Sequence, residues 1–266
     1  MSGDEVFVLF FSGLLGLGMW IRWYWMVGRV TALARSGGER FAIQLIPFVC
    51  AGILYGVLRK FASADVKDST AYLSFYMVMG AAWVGFVRGI MTYLGLHVRD
   101  DVAERGNAGA MWAISGALVG LTLCFAGANI GNGPGWWVVV FAAALSTGTF
   151  YVLWFILERV ASISDSVTID RDAASGFRLA GFLVALGLVL GCSVAGDWVS
   201  PEATIRDFYG YAYPVVVLVA VAVGLEPVVR PNQSSPQRSW LLCGLAPTLL
   251  YLGMAWMYLD QKGWWA

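Results

Sequence analysis

Four charged side chains lie within or at the ends of stretches that are otherwise apolar. Arg88 and Arg178 are fixed cations, and Glu158 and Glu226 are carboxylates near the ends of apolar runs. A charge at the centre of a bilayer costs about 3 kcal/mol on insertion scales, so such residues pair with one another or serve a ligand. Two arginines could hold a phosphate or a carboxylate, and two carboxylates could hold an amine.

Two interpretations of these four residues stay open. Each charge could pair with an opposite charge or reach the headgroup region. Alternatively, all four could line one charged cavity that faces the cytoplasm and binds a solute. Asn129 is a fifth candidate, because it ends an apolar run beside glycine-rich backbone, and interrupted helices of this kind bind ions in some transporters. A simple polar turn is the alternative for Asn129.

Other site chemistry has no support in the sequence. There is no Walker loop, no HExxH and no GxSxG motif. His97 is the only histidine, which excludes haem ligation by paired histidines of this chain, and the cysteines form no CxxC. Each cysteine lies alone in a different apolar run: Cys50, Cys124, Cys192 and Cys243. We therefore expect no metal, no cofactor and no enzymatic activity.

Composition places the chain in a membrane. Hydrophobic residues make up 59% and charged residues 13%, whereas a soluble domain carries about 25% charge. The exterior must therefore face the lipid bilayer. The net charge is zero, so there is no basic field for nucleic acid.

Apolar runs long enough to cross a bilayer predict an all-α, polytopic membrane helix bundle that forms a single domain over residues 1–266. A spanning helix needs about 20 mostly apolar residues, and backbone groups in lipid must pair within the helix. About eight such runs occur, and the second and seventh are the shortest: 6–27, 41–58, 71–95, 108–130, 136–157, 174–196, 208–226 and 240–259.

Positive charges orient the predicted bundle. With both termini outside, the inner side holds nine basic residues: Arg29, Arg35, Arg40, Arg99, Arg105, Arg159, Arg171, Arg230 and Arg238. The outer side then holds five: Arg59, Lys60, Lys67, Arg206 and Lys262. This bias favours termini on the periplasmic side, although the cluster of Arg59, Lys60 and Lys67 argues against it.

The middle of the chain contains an internal repeat. Residues 98–132 match 163–197 without a gap, with nine identities in thirty-five positions. The spacing of sixty-five residues equals one helical hairpin, so the two copies should run in the same direction. We hypothesise four hairpins, of which the middle two are the most alike: 6–58, 71–130, 136–196 and 208–259.

These copies resemble a bacterial family called domain of unknown function 350. In residues 107–116 and 172–181, a polar residue and small residues begin a helix that reaches a glycine nine residues on. Residues 127–135 resemble the helix end of that family. The resemblance covers 98–135 and 163–197, and it implies a small inner-membrane protein built from helical hairpins. It supplies no catalytic residues.

Three positions of this chain depart from the pattern of the family or of the other copy. Asp172 stands where the family has Asn, and Gly109 stands where it has a second Ala. The second copy also carries Arg178 where the first has Ala113. If the protein has a site, this broken symmetry is where we expect it.

The matched positions also predict local structure. Asn107 and Asp172 precede their helices and can accept hydrogen bonds from free N–H groups as N-caps. Gly116 and Gly181 begin small-xxx-small faces, which let helices approach closely in lipid. Such faces predict packing between the two repeats or across a homo-oligomer.

These patterns favour a non-enzymatic membrane component, either a scaffold or a partner subunit of a membrane complex. The alternative is a transporter or channel for a small solute or ion, with the charged cavity described above. A densely packed core favours the first function, and a midplane cavity that reaches Arg88 and Arg178 favours the second.

Overall fold

The computed structural model describes residues 1–31, 37–232 and 239–263, and every regular element in them is helical. A 3₁₀ segment, Arg88–Leu94, extends the fourth helix, and π-helical segments at Val98–Glu104 and Trp240–Leu245 precede the fifth and the last. The α-helices of these residues are α1 (Gly3–Gly28), α2 (Gly38–Phe61), α3 (Ala64–Lys67), α4 (Thr70–Val87), α5 (Ala108–Gly127), α6 (Trp136–Ala161), α7 (Ile163–Thr168), α8 (Ala173–Ser193), α9 (Pro201–Ala212), α10 (Pro214–Val229) and α11 (Ala246–Gln261).

Length and apolarity make the chain a multi-pass membrane protein. In the described residues, 7 helical stretches are long and apolar enough to cross a bilayer. The pair α9 and α10 adds an eighth if it counts as one span, since the two helices are bent by 42°. The predicted all-α polytopic bundle is therefore confirmed.

Two predicted spans differ from the observed helices in an informative way. The second is a helix of 24 residues, because α2 continues through charged residues at both ends, where long basic side chains can reach the headgroups. The seventh is broken between Ala212 and Pro214. Proline lacks the amide hydrogen and its ring clashes with the carbonyl four residues earlier, which accounts for the bend.

The most deeply buried spans, α5 and α8, lie side by side and run in the same direction. Gly109 packs against the backbone of Asp172 at one end, and Gly127 packs against Gly191 at the other. We call the end with Asn107 and Asp172 the cap face, and the opposite end, with the turn 131–135, the glycine face.

Glycine allows the close contact between α5 and α8. A Cβ on Gly116 would overlap the backbone of Ala180, and one on Gly187 would overlap Gly120. The helices therefore touch backbone to backbone, as small-xxx-small faces predict. The predicted packing of Gly116 against the other copy is observed, whereas Gly181 packs against the side chain of Thr248 in α11.

Other helices extend this pair into a row. α2 packs on the free side of α5, and α11 packs on the free side of α8. α4, α6 and α10 lie beside the row, and α1 packs mainly on α4. The inner helices thus contact protein on most sides, while α1 and α2 remain largely exposed to the bilayer.

Matched positions of the predicted repeat have matching backbone geometry. The amide of Asn107 donates to the Asp101 carbonyl at 2.9 Å, and the amide of Asp172 donates to the Ser166 carbonyl at 3.0 Å. The preceding residues, Gly106 and Arg171, are both left-handed, with φ of 61° and 54°. Left-handed backbone favours glycine, so Arg171 is held there against its own preference. The duplication itself stays a prediction.

Adding one methyl group to the α5–α8 contact should destabilise the fold. Gly116→Ala inserts a Cβ into the Ala180 backbone, and we expect the free energy of unfolding to fall by about 1–3 kcal/mol, as for overpacked cores. The measurement is SDS titration of the full chain in mixed micelles. Gly148→Ala is the matched control, because its Cβ meets nothing within 4 Å. Equal losses in both variants would contradict the packing argument.

Candidate functional site

Arg178 and Glu226 form a buried ion pair between α8 and α10. Arg178 Nε donates to Glu226 Oε2 at 3.1 Å, and Nη2 donates to Oε1 at 2.8 Å. The side chains are 1% and 4% exposed, so this paired geometry is shielded from lipid and water. Parallel bonds from a guanidinium to both carboxylate oxygens are the strongest arrangement of such a pair. The structure thus brings together two of the four predicted charges.

The remaining donors of Arg178 bind groups from two other segments. Nη1 donates to the Cys243 carbonyl at 2.5 Å, and Nη2 donates to the Ser175 hydroxyl at 3.2 Å. The Ser175 hydroxyl in turn donates to Asp172 Oδ2 at 2.6 Å. One arginine therefore connects α8, α10 and the π-helical segment before α11.

Proline removes one backbone donor from the Cys243 carbonyl, which Arg178 contacts. In an α-helix that carbonyl would accept from the amide four residues on, which here belongs to Pro247 and carries no hydrogen. The guanidinium supplies the missing donor. This partner could have been found from the sequence, since Pro247 lies within an apolar run.

Arg88 lies elsewhere, against α1. Its Nη2 donates to the Met19 carbonyl at 2.8 Å, and its guanidinium lies 4.9 Å from the ring centroid of Trp23 and 5.6 Å from that of Trp20. Cation–π contacts of this kind stabilise a desolvated cation. Its Nε is buried without a hydrogen-bond partner in the described residues. Arg88 therefore anchors the 3₁₀ end of the α4 span to α1.

Glu158 closes the turn between α6 and α7. Its carboxylate accepts from the Ser164 hydroxyl at 2.5 Å and from the Ser164 amide at 3.1 Å. This is the capping role of a carboxylate at the start of a helix. Because Arg88 binds α1 and Arg178 binds Glu226, the four predicted charges do not converge on one group in the described chain.

Asn129 ends α5 at the glycine face. Its Nδ2 donates to the Phe125 carbonyl at 2.7 Å, which fixes the orientation of the amide, because a carbonyl can only accept. Its Oδ1 is buried and has no hydrogen-bond partner in the described residues. Asn129 is 7% exposed.

Asn107 and Asp172 cap their helices at the cap face. Asn107 Oδ1 accepts from the amide of Ala110 at 3.1 Å, and Asp172 Oδ2 accepts from that of Ser175 at 2.8 Å. Asn107 also donates through Nδ2 to the Val167 carbonyl at 2.7 Å. The two capping residues therefore occupy matching places, and Asn107 additionally bonds the two copies together.

The described residues contain no evident set of metal ligands. No group of three or more His, Cys, Asp or Glu side chains there could hold a metal ion. Cavities occur at two ends of the bundle and between α1, α2 and α4, and they are lined by residues other than the four predicted charges.

No family model matches the chain, and neither a curated protein nor a solved structure does.

Removing one partner of the buried pair should destabilise the protein far more than removing both. Arg178→Met or Glu226→Leu leaves a buried group unpaired, and we expect a loss of about 3–5 kcal/mol in the free energy of unfolding. The double variant Arg178→Met with Glu226→Leu should regain most of that loss. The measurement is SDS titration of each variant.

Glu104→Gln is the control for the buried pair. Its partner Arg99 has a side chain that is 46% exposed, so we expect a change below about 1 kcal/mol. Additive losses in the double variant would show that Arg178 and Glu226 do not act as a pair.

Proposed function

We propose that this protein is a non-enzymatic component of a membrane complex, acting as a scaffold or partner subunit. The observation that carries the proposal is the α5–α8 contact, where backbone meets backbone and leaves no room for a solute path between the two central helices. A helix pair of this kind is a rigid support, because separating it would expose both backbones.

The intramembrane charges support the same function. Arg178 is fully engaged by Glu226, Ser175 and the Cys243 carbonyl. Arg88 is engaged by the Met19 carbonyl. The transport alternative depended on a shared cavity around these charges, and their partners in the described residues give it no support.

The outer helices offer a surface for a partner. Helices α1 and α2 carry large apolar side chains that are more than half exposed: Phe7, Phe10, Phe11, Leu14, Phe41 and Phe48. Aromatic side chains are enriched where proteins bind one another. A second copy of this chain or another membrane subunit would cover this surface, and lipid covers it otherwise.

We also place the protein in the bacterial inner membrane with both termini periplasmic. The family resemblance supports the assignment to the bacterial inner membrane. The excess of arginines on one side supports the orientation of the termini. Two of those arginines, Arg35 and Arg238, lie outside the described residues.

Site-specific photocrosslinking tests the scaffold proposal. A photoreactive residue at Phe10 or Phe48 should give a discrete crosslinked product with another protein chain, because a partner contacts that surface. The same residue at Val152 or Phe155 of α6, which are also exposed, is the control. The readout is the mass and identity of the crosslinked chains in membranes at native expression.

The proposal fails if neither Phe10 nor Phe48 gives a protein adduct. It also fails if the purified chain in liposomes carries a solute flux that Arg178→Met abolishes while the fold is retained. The second outcome would establish the transport alternative.

A further inference from the structure

A groove opens between α1 and α2 within the membrane-spanning part of the bundle. It has a volume of about 260 Å³, and residues of α4 and α5 complete its lining. Phe48 and Ala51 of α2 and Ala81 of α4 belong to that lining and are exposed. Because these residues lie in the middle of spanning helices, the groove is open to the hydrocarbon of the bilayer.

The lining of the groove favours a hydrocarbon ligand. Its side chains in the described chain include no charged group, and its hydrogen-bond donors are already in use. Trp20 Nε1 and the hydroxyls of Tyr24 and Thr122 each donate to a backbone carbonyl, at 2.9, 3.1 and 2.8 Å. A polar ligand would therefore find none of these three donors free, whereas an acyl chain needs no hydrogen bond.

An empty groove of this kind is unfavourable in lipid. Walls that contact nothing lose dispersion energy, and an apolar cavity does not attract water. Its volume is below the roughly 300–1,000 Å³ of pockets that enclose a whole small molecule. The groove therefore suits one segment of a lipid chain, with the rest of the lipid outside it.

Two hydrogen bonds between α1 and α2 close the groove toward the cap face. The first is the bond from the Tyr24 hydroxyl to the Gln44 carbonyl. The second lies farther along both helices, where Arg40 Nη2 donates to the Gly28 carbonyl at 2.7 Å. A chain therefore enters from the side, out of the bilayer, and its headgroup lies on the lipid side of these two bonds.

Arg40 is placed to bind that headgroup. It precedes Pro47 by seven residues, which is about two helical turns and roughly 10 Å of rise, so the two residues lie on the same side of α2. Its guanidinium has several N–H donors, and the bond to Gly28 uses one of them. Phosphate oxygens are strong acceptors for the remaining donors.

The charges around this end of the groove favour an anion. The π-helical segment Val98–Glu104 packs on both α1 and α2 there, and its charges count with theirs. Two ion pairs neutralise each other, Arg99 with Glu104 and Arg105 with Asp101. The described residues of these elements and of the α4 end then leave more basic than acidic side chains: Arg22, Arg29, Arg40 and Arg88 against Glu39 and Asp100.

The two helix ends at this place carry opposite partial charges. α2 begins at Gly38 and contributes positive charge from its free amides, whereas α1 ends at Gly28 and contributes negative charge from its carbonyls. The guanidinium of Arg40 offsets the second by bonding to the Gly28 carbonyl. The helix ends therefore do not reverse the preference set by the side chains.

We propose that the groove between α1 and α2 binds one acyl chain of an anionic phospholipid, with Arg40 bound to its phosphate. The apolar lining selects the chain, and the excess of arginines selects the headgroup. The site shares no residue with the buried ion pair of Arg178 and Glu226. It goes beyond the proposed scaffold function and does not depend on it.

Native mass spectrometry of the purified full chain tests the site. The chain is freed of lipid in detergent and then supplied with phosphatidylglycerol or phosphatidylcholine that carry the same acyl chains. We expect one retained lipid per chain, with phosphatidylglycerol retained about fivefold more than phosphatidylcholine, as one arginine near a phosphate would give.

A first variant tests the acyl-chain part of the site. Ala51→Leu fills the groove from an exposed position and should lower the retention of both lipids several-fold. Ala144→Leu is the matched control, because Ala144 is an exposed alanine of α6 outside the groove. It should leave the retention of both lipids unchanged.

A second variant tests the headgroup part of the site. Arg40→Gln should abolish the preference for phosphatidylglycerol while phosphatidylcholine is retained as before. Arg59→Gln removes the same charge from the opposite end of α2 and should preserve the preference. If Arg40→Gln does not fold, the comparison of Ala51→Leu with Ala144→Leu decides the question.

Equal retention of the two lipids by the unaltered chain overturns the proposal. Unchanged retention in Ala51→Leu also overturns it, as does an equal loss in Ala144→Leu, which would indicate unspecific lipid around the bundle. A preference that survives in Arg40→Gln, or that is lost equally in Arg59→Gln, contradicts the assignment of Arg40.

Discussion

The close approach of α5 and α8 is the constraint on which the rest of this bundle depends. In a bilayer, lipid tails are as apolar as the side chains they would replace, so helices associate by packing and hydrogen bonding and gain little from leaving the lipid. Glycines at 109, 116 and 127 bring the two backbones into contact along the length of α5. The flanking helices then dock on a pair that is already fixed in register and direction.

The close packing of α5 and α8 also determines which partners are available to the buried charge of Arg178. Arg178 stands on α8 where the matched position of α5 is Ala113, which is fully buried. A guanidinium at such a depth needs partners, and it has them in Glu226 of α10 and in the Cys243 carbonyl. The pair thus connects the central helices to the last third of the chain.

Much of this architecture could be predicted from the sequence, because membrane helices are governed by length, apolarity and small residues. The spans, the parallel direction of α5 and α8 and their caps followed from such local patterns. The sequence identifies Arg178 and Glu226 as charges in or near apolar stretches. It leaves their pairing as one of two interpretations. The bend before Pro214 departs from the predicted continuous seventh span, although the proline that causes it stands in the sequence.

Other features depend on contacts far apart in the chain. Arg88 binds the Met19 carbonyl, 69 residues away, and no spacing rule relates an arginine to a distant backbone oxygen. The free oxygen of Asn129 is likewise a property of the folded chain, because its meaning depends on which neighbours leave it unpaired. Such features arise only from the folded chain.

The buried ion pair has a consequence for how the chain could have acquired its present sequence. Sixty-five residues before Arg178, at the matched position of the other copy, the chain holds Ala113, whereas Glu226 lies outside both matched stretches. Either charge alone would be buried without an opposite partner, at a cost of several kcal/mol. If the copies share an ancestor with alanine at the position of Arg178, an arginine that arose before Glu226 would pass through an unstable intermediate. The two substitutions then form an epistatic pair, each tolerated only in the background of the other.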